Sequence, residues 1–186
     1  MPAVQPAATY PAHDVHPAEH LAAAADPYDS RVKAEIFSID WAQHDVLPVL
    51  LIISNDGDRP ASMPDLRVNM RTGDGVKLLP MTEQDIYRRL THVQNPISQP
   101  RTFPLPKVGH PKGGVSQKEQ DEIEGALFQA KAVEPHRTRA GFVFFDVSDL
   151  GSPLEGAHIY VDGVRDGAGH ETMFFDLAMD DYLKKK

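Results

Sequence analysis

Three histidines near the amino terminus have a spacing that could bind a metal ion. His13, His16 and His20 form the pattern His-x2-His-x3-His. Imidazole nitrogens bind zinc, copper and nickel well, and this spacing would align the three rings on a helix. Pro17 interrupts the segment, however, and the surrounding composition is typical of disorder. Two interpretations therefore stand, a metal-handling site at these histidines and, as the favoured one, a solvated coil.

Histidines and carboxylates near the carboxyl terminus could form an acid–base pair. His158 and His170 lie among Asp162, Asp166 and Glu171, and a carboxylate beside a histidine can transfer protons. Charged residues at hairpin ends are more often simply solvated. The chain also lacks Gly-x-Ser-x-Gly, Walker, Gly-x-Gly-x-x-Gly and His-Glu-x-x-His motifs. We assign no catalytic residue and no cofactor from the sequence.

The segment Asn55-Asp56-Gly57-Asp58 could offer oxygen ligands to calcium. In an EF-hand loop beginning at Asn55, the twelfth position would fall on Leu66, which cannot ligate the ion. Asn, Asp and Gly also dominate tight turns for backbone reasons alone. The turn is therefore the favoured interpretation.

The aromatic residues could fill a core or form a platform that stacks on sugar rings; they are Trp41, Phe142, Phe144, Phe145, Tyr160, Phe174 and Phe175. Neighbouring residues on a strand point to opposite faces, so Phe144 and Phe145 cannot both face the same side of a sheet. The helix that follows Ser116 is the expected cover for one of them. Core packing is favoured, because aromatics at strand spacing mostly fill cores.

The composition places the chain among globular proteins and excludes several classes of function. It has 186 residues, no cysteine and a formal charge of −8. The missing cysteines exclude disulfides, thiolate metal sites and a cysteine nucleophile. The acidic balance argues against nucleic-acid binding, which depends on phosphate neutralisation. No apolar run is long enough to predict a transmembrane segment.

Turn signals and hydrophobic patterns predict about seven strands. Strands are expected at 32–41, 47–55, 66–70, 76–79, 140–147, 157–162 and 172–179. Two helices are expected after capping pairs, Thr82 with Asp85 and Ser116 with Glu119. Strands and helices do not alternate, which disfavours a parallel sheet.

These elements predict a mainly β fold, an immunoglobulin-like antiparallel β-sandwich with an inserted helical and proline-rich segment. We expect a weakly ordered lead-in at 1–30, one sandwich domain at 31–182 with the insertion at 82–132, and a basic tail at 183–186. The long loop at 94–115 is rich in proline and glycine, and residues 88–112 carry a net positive charge. It could contact a protein partner or be a solvated linker.

Three segments resemble uncharacterised bacterial extracytoplasmic sandwich domains. One is 133–147, where a proline precedes a polar stretch, a glycine and an aromatic strand; the second is 48–57, a strand that ends in an Asn turn. The third is 154–161, a strand after a Leu-x-Gly-Ala turn. The resemblance covers roughly residues 32–180 and implies an immunoglobulin-like fold in the cell envelope, with no catalytic residue attached to it.

Together these observations favour a non-enzymatic binding module of the bacterial envelope. A hydrolase or carbohydrate-active accessory domain is the first alternative, and a metal-handling protein that uses the three N-terminal histidines is the second. The amino terminus shows no signal peptide, so a cytoplasmic location stays open beside the periplasmic one. The sequence determines neither the oligomeric state nor the ligand.

Overall fold

The structure of the chain, a computed structural model, describes residues 2–93 and 114–186. Strand residues (34%) outnumber helical residues (21%), and the sheets are antiparallel. The prediction of a mainly β protein is therefore confirmed.

Within these residues the chain forms ten strands and four α-helices. The strands are β1 (Ala12–His16), β2 (Leu21–Pro27), β3 (Val46–Asn55), β4 (Ala61–Ser62), β5 (Arg67–Arg71), β6 (Lys77–Leu78), β7 (Ala132–Val133), β8 (Arg137–Asp146), β9 (His158–Asp162) and β10 (Phe175–Ala178). The helices are α1 (Arg31–Ala34), α2 (Glu83–Val93), α3 (Gln117–Ala126) and α4 (Met179–Leu183). Short 3-10 turns lie at Ala7–Thr9 and Trp41–His44.

Two four-stranded antiparallel sheets contain most of these strands. The first sheet has the order β1-β2-β3-β8 and the second has the order β10-β9-β5-β6. In the first sheet Val49 lies between Pro27 of β2 and Val143 of β8. β4 and β7 pair separately as a short ribbon.

Strand β3 of the first sheet is buried on both faces, which explains its continuous apolar run. Leu51 and Ile53 belong to an apolar cluster that also contains Ile159 and Phe175 of the second sheet. The alternate residues of β3, such as Ile52, belong to a separate cluster on the opposite face. Side chains alternate along a strand, so only a strand covered on both sides can be apolar at every position.

Helices α2 and α3 cover that opposite face. Ile86 of α2 and Ile123 of α3 pack in the same cluster as Phe144, whereas Phe145 faces the second sheet. The predicted division of Phe144 and Phe145 between the two faces, with α3 as the cover for one, is confirmed. Both predicted helix starts are also found. Ser116 forms a complete capping box with its partner glutamate in α3, and the Thr82 hydroxyl accepts from the third residue of α2.

The predicted lead-in at 1–30 is wrong, because residues 12–27 form β1 and β2. Leu21 and the four alanines that follow it are all buried, and β2 lies between β1 and β3 inside the first sheet. Alanine has a low strand propensity, which concealed this strand. Here the small side chains fit between two covering layers, and burial decides the conformation. The sheet therefore begins well before residue 31.

The strand predicted at 32–41 is also wrong. Ser30 caps the short helix α1 by accepting from the backbone N–H of Lys33, and Trp41 begins a 3-10 turn. Phe37, Ile39 and Trp41 do alternate, but they belong to a loop and a 3-10 turn that pack against β8 instead of forming a strand themselves.

The remaining predictions concern the tail, the long loop and membranes. Leu183 lies in α4, and the ammonium group of Lys186 donates to Asp29 at 2.8 Å, so the tail at 183–186 is partly anchored. The loop at 94–115 falls outside the described residues except at Gly114 and Val115, and a protein partner there stays a prediction. Among the described residues, no helix is both long and apolar enough to cross a membrane.

Candidate functional site

A cleft of about 860 Å³ opens at one end of the first sheet. β2 ends there, β3 begins there and β8 ends there, because neighbouring strands run antiparallel. The chain segments that continue from these strand ends, residues 28–47 and 147–155, form the walls. Two stretches about 100 residues apart in the sequence therefore meet at one site.

Aromatic rings form the floor of the cleft. Phe37 lies at the centre, with its ring centroid 6.1 Å from Tyr28 and 6.0 Å from Trp41. Behind them Phe142 packs edge-on against both Tyr28 and Phe37, at 4.9 Å in each case. Trp41 also contacts Phe144 at 4.7 Å. Because these contacts join the loop to β8, the floor has a fixed geometry.

Trp41 carries a polar atom whose hydrogen bonding is incomplete. Its side chain is 1% exposed and lines the cleft. Its indole Nε1 has no hydrogen-bond partner among the described residues. A buried donor without an acceptor costs about 1–3 kcal/mol, so such groups usually have a partner in native proteins.

Carboxylates dominate the rim. Five of them line the cleft, against the single guanidinium of Arg31; they are Asp29, Glu35, Asp40, Asp45 and Glu155. Asp29 is held by the Tyr182 hydroxyl at 2.7 Å and by the tail of the chain. Within residues 2–93 and 114–186, the carboxylates of Glu35, Asp45 and Glu155 form no ion pair or side-chain hydrogen bond.

A polar network fixes the edge of the cleft beside Tyr28. The ammonium group of Lys33 forms an ion pair with Asp26 and lies 5.5 Å from the Tyr28 ring centroid and 4.6 Å from that of Tyr182. Burial, with a smaller effect of Asp26, raises the pKa of Tyr28 to about 12. Burial and the hydrogen bond to Asp29 raise the pKa of Tyr182 further still. Both phenols therefore stay neutral at physiological pH.

Helix α3 holds the wall of the cleft through Glu122. Its carboxylate accepts from the Ser38 backbone N–H at 3.0 Å, from the Ser38 hydroxyl, and from the Ile39 N–H at 3.4 Å. Glu122 is half-buried, although its place among the charged residues of α3 indicates only solvation. The contact joins two residues 84 positions apart, so no local pattern could reveal it.

The structure does not bring His13, His16 and His20 together. His13 and His16 lie on opposite faces of β1, because residues three apart on a strand point to opposite sides. His16 stacks on Phe175 at 4.1 Å, and His20 occupies a turn with φ of 58°. Within the described ranges, no group of three or more His, Cys, Asp or Glu side chains is placed to hold a metal ion. The predicted coil is wrong as well, since His13 and His16 belong to a strand.

The predicted acid–base residues form separate pairs, one with a partner that the sequence analysis missed. His158 Nδ1 lies 2.6 Å from Asp176, its diagonal neighbour on β10. His170 pairs with Asp166 at 3.6 Å. The remaining predicted carboxylates, Asp162 and Glu171, both pair with Arg67.

The turn interpretation of residues 55–58 agrees with the structure. The Asn55 side-chain oxygen accepts from the Gly57 N–H at 2.9 Å. Its amide group donates to the carbonyls of Arg59 and Val133, at 2.7 and 3.1 Å. Asn55 therefore uses its side chain to close the turn and to join it to β7.

Most of the aromatic residues are core residues, as predicted, but two lie on the outer face of the second sheet. Tyr160 is partly exposed, and Phe174 is 49% exposed and packs edge-on against it at 5.6 Å. The ring of His158 lies 6.0 Å from Tyr160 in a nearly parallel plane. This outer patch is the part of the predicted aromatic platform that reaches solvent.

The cleft is not predicted from the sequence, although residues 28–45 contain Tyr28, Phe37 and Trp41 among several acidic residues and Ser30 as a candidate helix cap. The alternating apolar residues at 37, 39 and 41 are also typical of a strand, and the strand predicted there conceals the cleft. No family model matches the chain, and no curated protein or solved structure matches it either. Its function is therefore inferred from the geometry of the cleft and the contacts that fix it.

Proposed function

We propose that this protein is a non-enzymatic binding module whose ligand occupies the cleft at the end of the first sheet. The observation that carries the proposal is a cleft of about 860 Å³ with an aromatic floor and a polar rim. Ligand sites in proteins are typically about 300–1,000 Å³, mostly apolar, and carry a few fixed polar groups. The cleft has all three properties.

The contacts around the cleft support a binding role. Its floor is fixed by ring contacts with β8, and its wall is fixed by Glu122 of α3. A binding surface that is already in place loses little entropy when a ligand arrives. Asp29 is bound to Tyr182 and Lys33 is paired with Asp26, so both side chains hold the edge of the cleft in a fixed position.

For the fold type and the compartment we propose an immunoglobulin-like sandwich in the bacterial cell envelope. The apolar cluster shared by the two sheets supports a sandwich, and the resemblance of segments 48–57, 133–147 and 154–161 supports the class and the location. An experimental structure compared with immunoglobulin strand order tests the first proposal. Fractionation of the native cells tests the second, and recovery only in the cytoplasm would contradict it.

Two tryptophan substitutions on α1 test the binding role. Ala34 lines the cleft, so Ala34→Trp should fill it, whereas Val32 is 79% exposed and outside the lining. Each protein is dialysed against small-molecule extract of its native cells, and the retained compounds are identified by mass spectrometry. We expect a compound that the unmodified protein and Val32→Trp retain and that Ala34→Trp loses.

Two outcomes would contradict this function. Retention of the same compounds by Ala34→Trp would show that the cleft does not bind them. Recovery of a retained compound in a chemically converted form would contradict the non-enzymatic role. Thermal unfolding of both variants provides the control for folding.

The outer patch favours a second candidate function, a carbohydrate-binding accessory domain. Tyr160 and Phe174 expose ring surface, and Asn69 lies opposite Tyr160 on β5, where its amide could bind a hydroxyl group. Co-sedimentation with insoluble polysaccharide tests this role. Phe174→Ala should reduce the bound fraction, while Val15→Ala, which trims an exposed residue of the first sheet, should not. Equal binding by the two variants would eliminate this candidate.

A further inference from the structure

We infer that the ligand of the cleft is a small organic cation that carries an ammonium group on an apolar body. This inference rests on the proposed binding function and adds the chemical class of the ligand. The charge of the rim and the aromatic floor each contribute one part of that class.

The negative charge of the rim favours a positively charged ligand. Five carboxylates face the cleft with one guanidinium, and those of Glu35, Asp45 and Glu155 have no ion-pair partner among the described residues. Clefts lined by one sign of charge focus the field and raise the local concentration of the opposite ion. An anionic ligand would find Arg31 as the single cationic side chain of the lining and would be repelled by the five carboxylates.

The aromatic floor favours a ligand that has an apolar group next to its positive charge. A cation over an aromatic face is attracted by the ring quadrupole. The protein already uses this chemistry at the edge of the cleft, where the ammonium group of Lys33 lies over the rings of Tyr28 and Tyr182 beside the Asp26 carboxylate. Lys33 therefore provides an internal example of the combination that we assign to the ligand.

A matched pair of probes tests the class of ligand. Phenylalaninamide carries an ammonium group, a phenyl ring and an amide oxygen; 3-phenylpropanamide lacks only the ammonium group, and 3-phenylpropanoate is the anionic analogue. Trp41 is the single tryptophan of the chain and lines the cleft, so its fluorescence reports occupancy directly. At pH 6, where the amine is protonated, we expect phenylalaninamide to bind at least about threefold more tightly than the neutral amide. The anion should bind most weakly.

Charge reversal on the rim provides the matched variants. Glu35→Lys changes a cleft carboxylate, whereas Glu19→Lys makes the same change of charge at the β1–β2 turn, at the opposite end of the sheet. We expect Glu35→Lys to weaken phenylalaninamide binding at least about threefold and Glu19→Lys to change it less than twofold. Equal affinity for the cationic and neutral amides, or equal effects of the two variants, would overturn the inference and leave the binding function standing. No fluorescence response to any probe, with the fold intact, would overturn the inference and count against the cleft as a ligand site.

Discussion

Glu122→Ala should destabilise the protein by removing the carboxylate that holds the wall of the cleft. The carboxylate accepts from two backbone N–H groups and one hydroxyl, all in Ser38 and Ile39. Hydrogen bonds to charged groups contribute about 1.5–3 kcal/mol when buried. Ser38 is exposed and water can replace part of each bond, so we expect a total loss of about 1–2 kcal/mol.

Urea unfolding followed by circular dichroism measures this loss. With a slope of about 2 kcal/mol per molar urea, the midpoint should fall by about 0.5–1 M. Glu124→Ala, on the same helix without such contacts, is the control and should stay within about 0.5 kcal/mol. Glu122→Gln keeps one acceptor oxygen and should fall between the two. If Glu122→Ala and Glu124→Ala unfold at the same midpoint, the wall does not depend on this carboxylate.

Three further predictions concern the core, the tyrosines and the amino terminus. A Cβ at Gly141 would lie 2.4 Å from the Phe128 Cα, so Gly141→Ala should lower the urea midpoint strongly. A Cβ at Gly125 in α3 would have no atom within 4 Å, so Gly125→Ala should raise the free energy of unfolding by up to about 1 kcal/mol. Equal effects of the two substitutions would contradict this packing. Three of the five tyrosines have a raised pKa, namely Tyr28, Tyr87 and Tyr182. Because a raised folded-state pKa means that the unfolded chain loses its proton first, the free energy of unfolding should fall as pH rises above about 10. Absorbance titration at 295 nm should show that these three tyrosines ionise later in the native protein than in urea, and Tyr182→Phe should remove one of the late ionisations. Ionisation of all three near pH 10 in the native protein would contradict the burial of Tyr28 and Tyr182 and the hydrogen bond from Tyr87 to Glu83. Deletion of residues 2–27 removes β1 and β2 and should abolish cooperative unfolding, whereas a cooperative transition in the shortened chain would mean that these strands are dispensable.

The sequence by itself determined the elements whose signals are local. The continuous apolar run of β3, the alternation in β5 and the capping pairs of α2 and α3 each depend on neighbours within a few positions, so their patterns are readable. The turn closed by Asn55 belongs to the same group. These signals predict a mainly β chain with two helices, of which the one after Ser116 covers one strand face; that α2 covers the same face appears only in the structure.

Only the tertiary structure decided the elements whose conformation depends on distant contacts. The alanines of β2 form a strand because two layers bury them, and Phe37 and Trp41 line a cleft because β8 supplies the rings behind them. Their alternation alone predicted a strand that does not exist. The cleft arises where β2 and β8 end and β3 begins, and where Glu122 of α3 contacts Ser38. Such contacts are set by the order and register of the strands, which no stretch of sequence encodes locally.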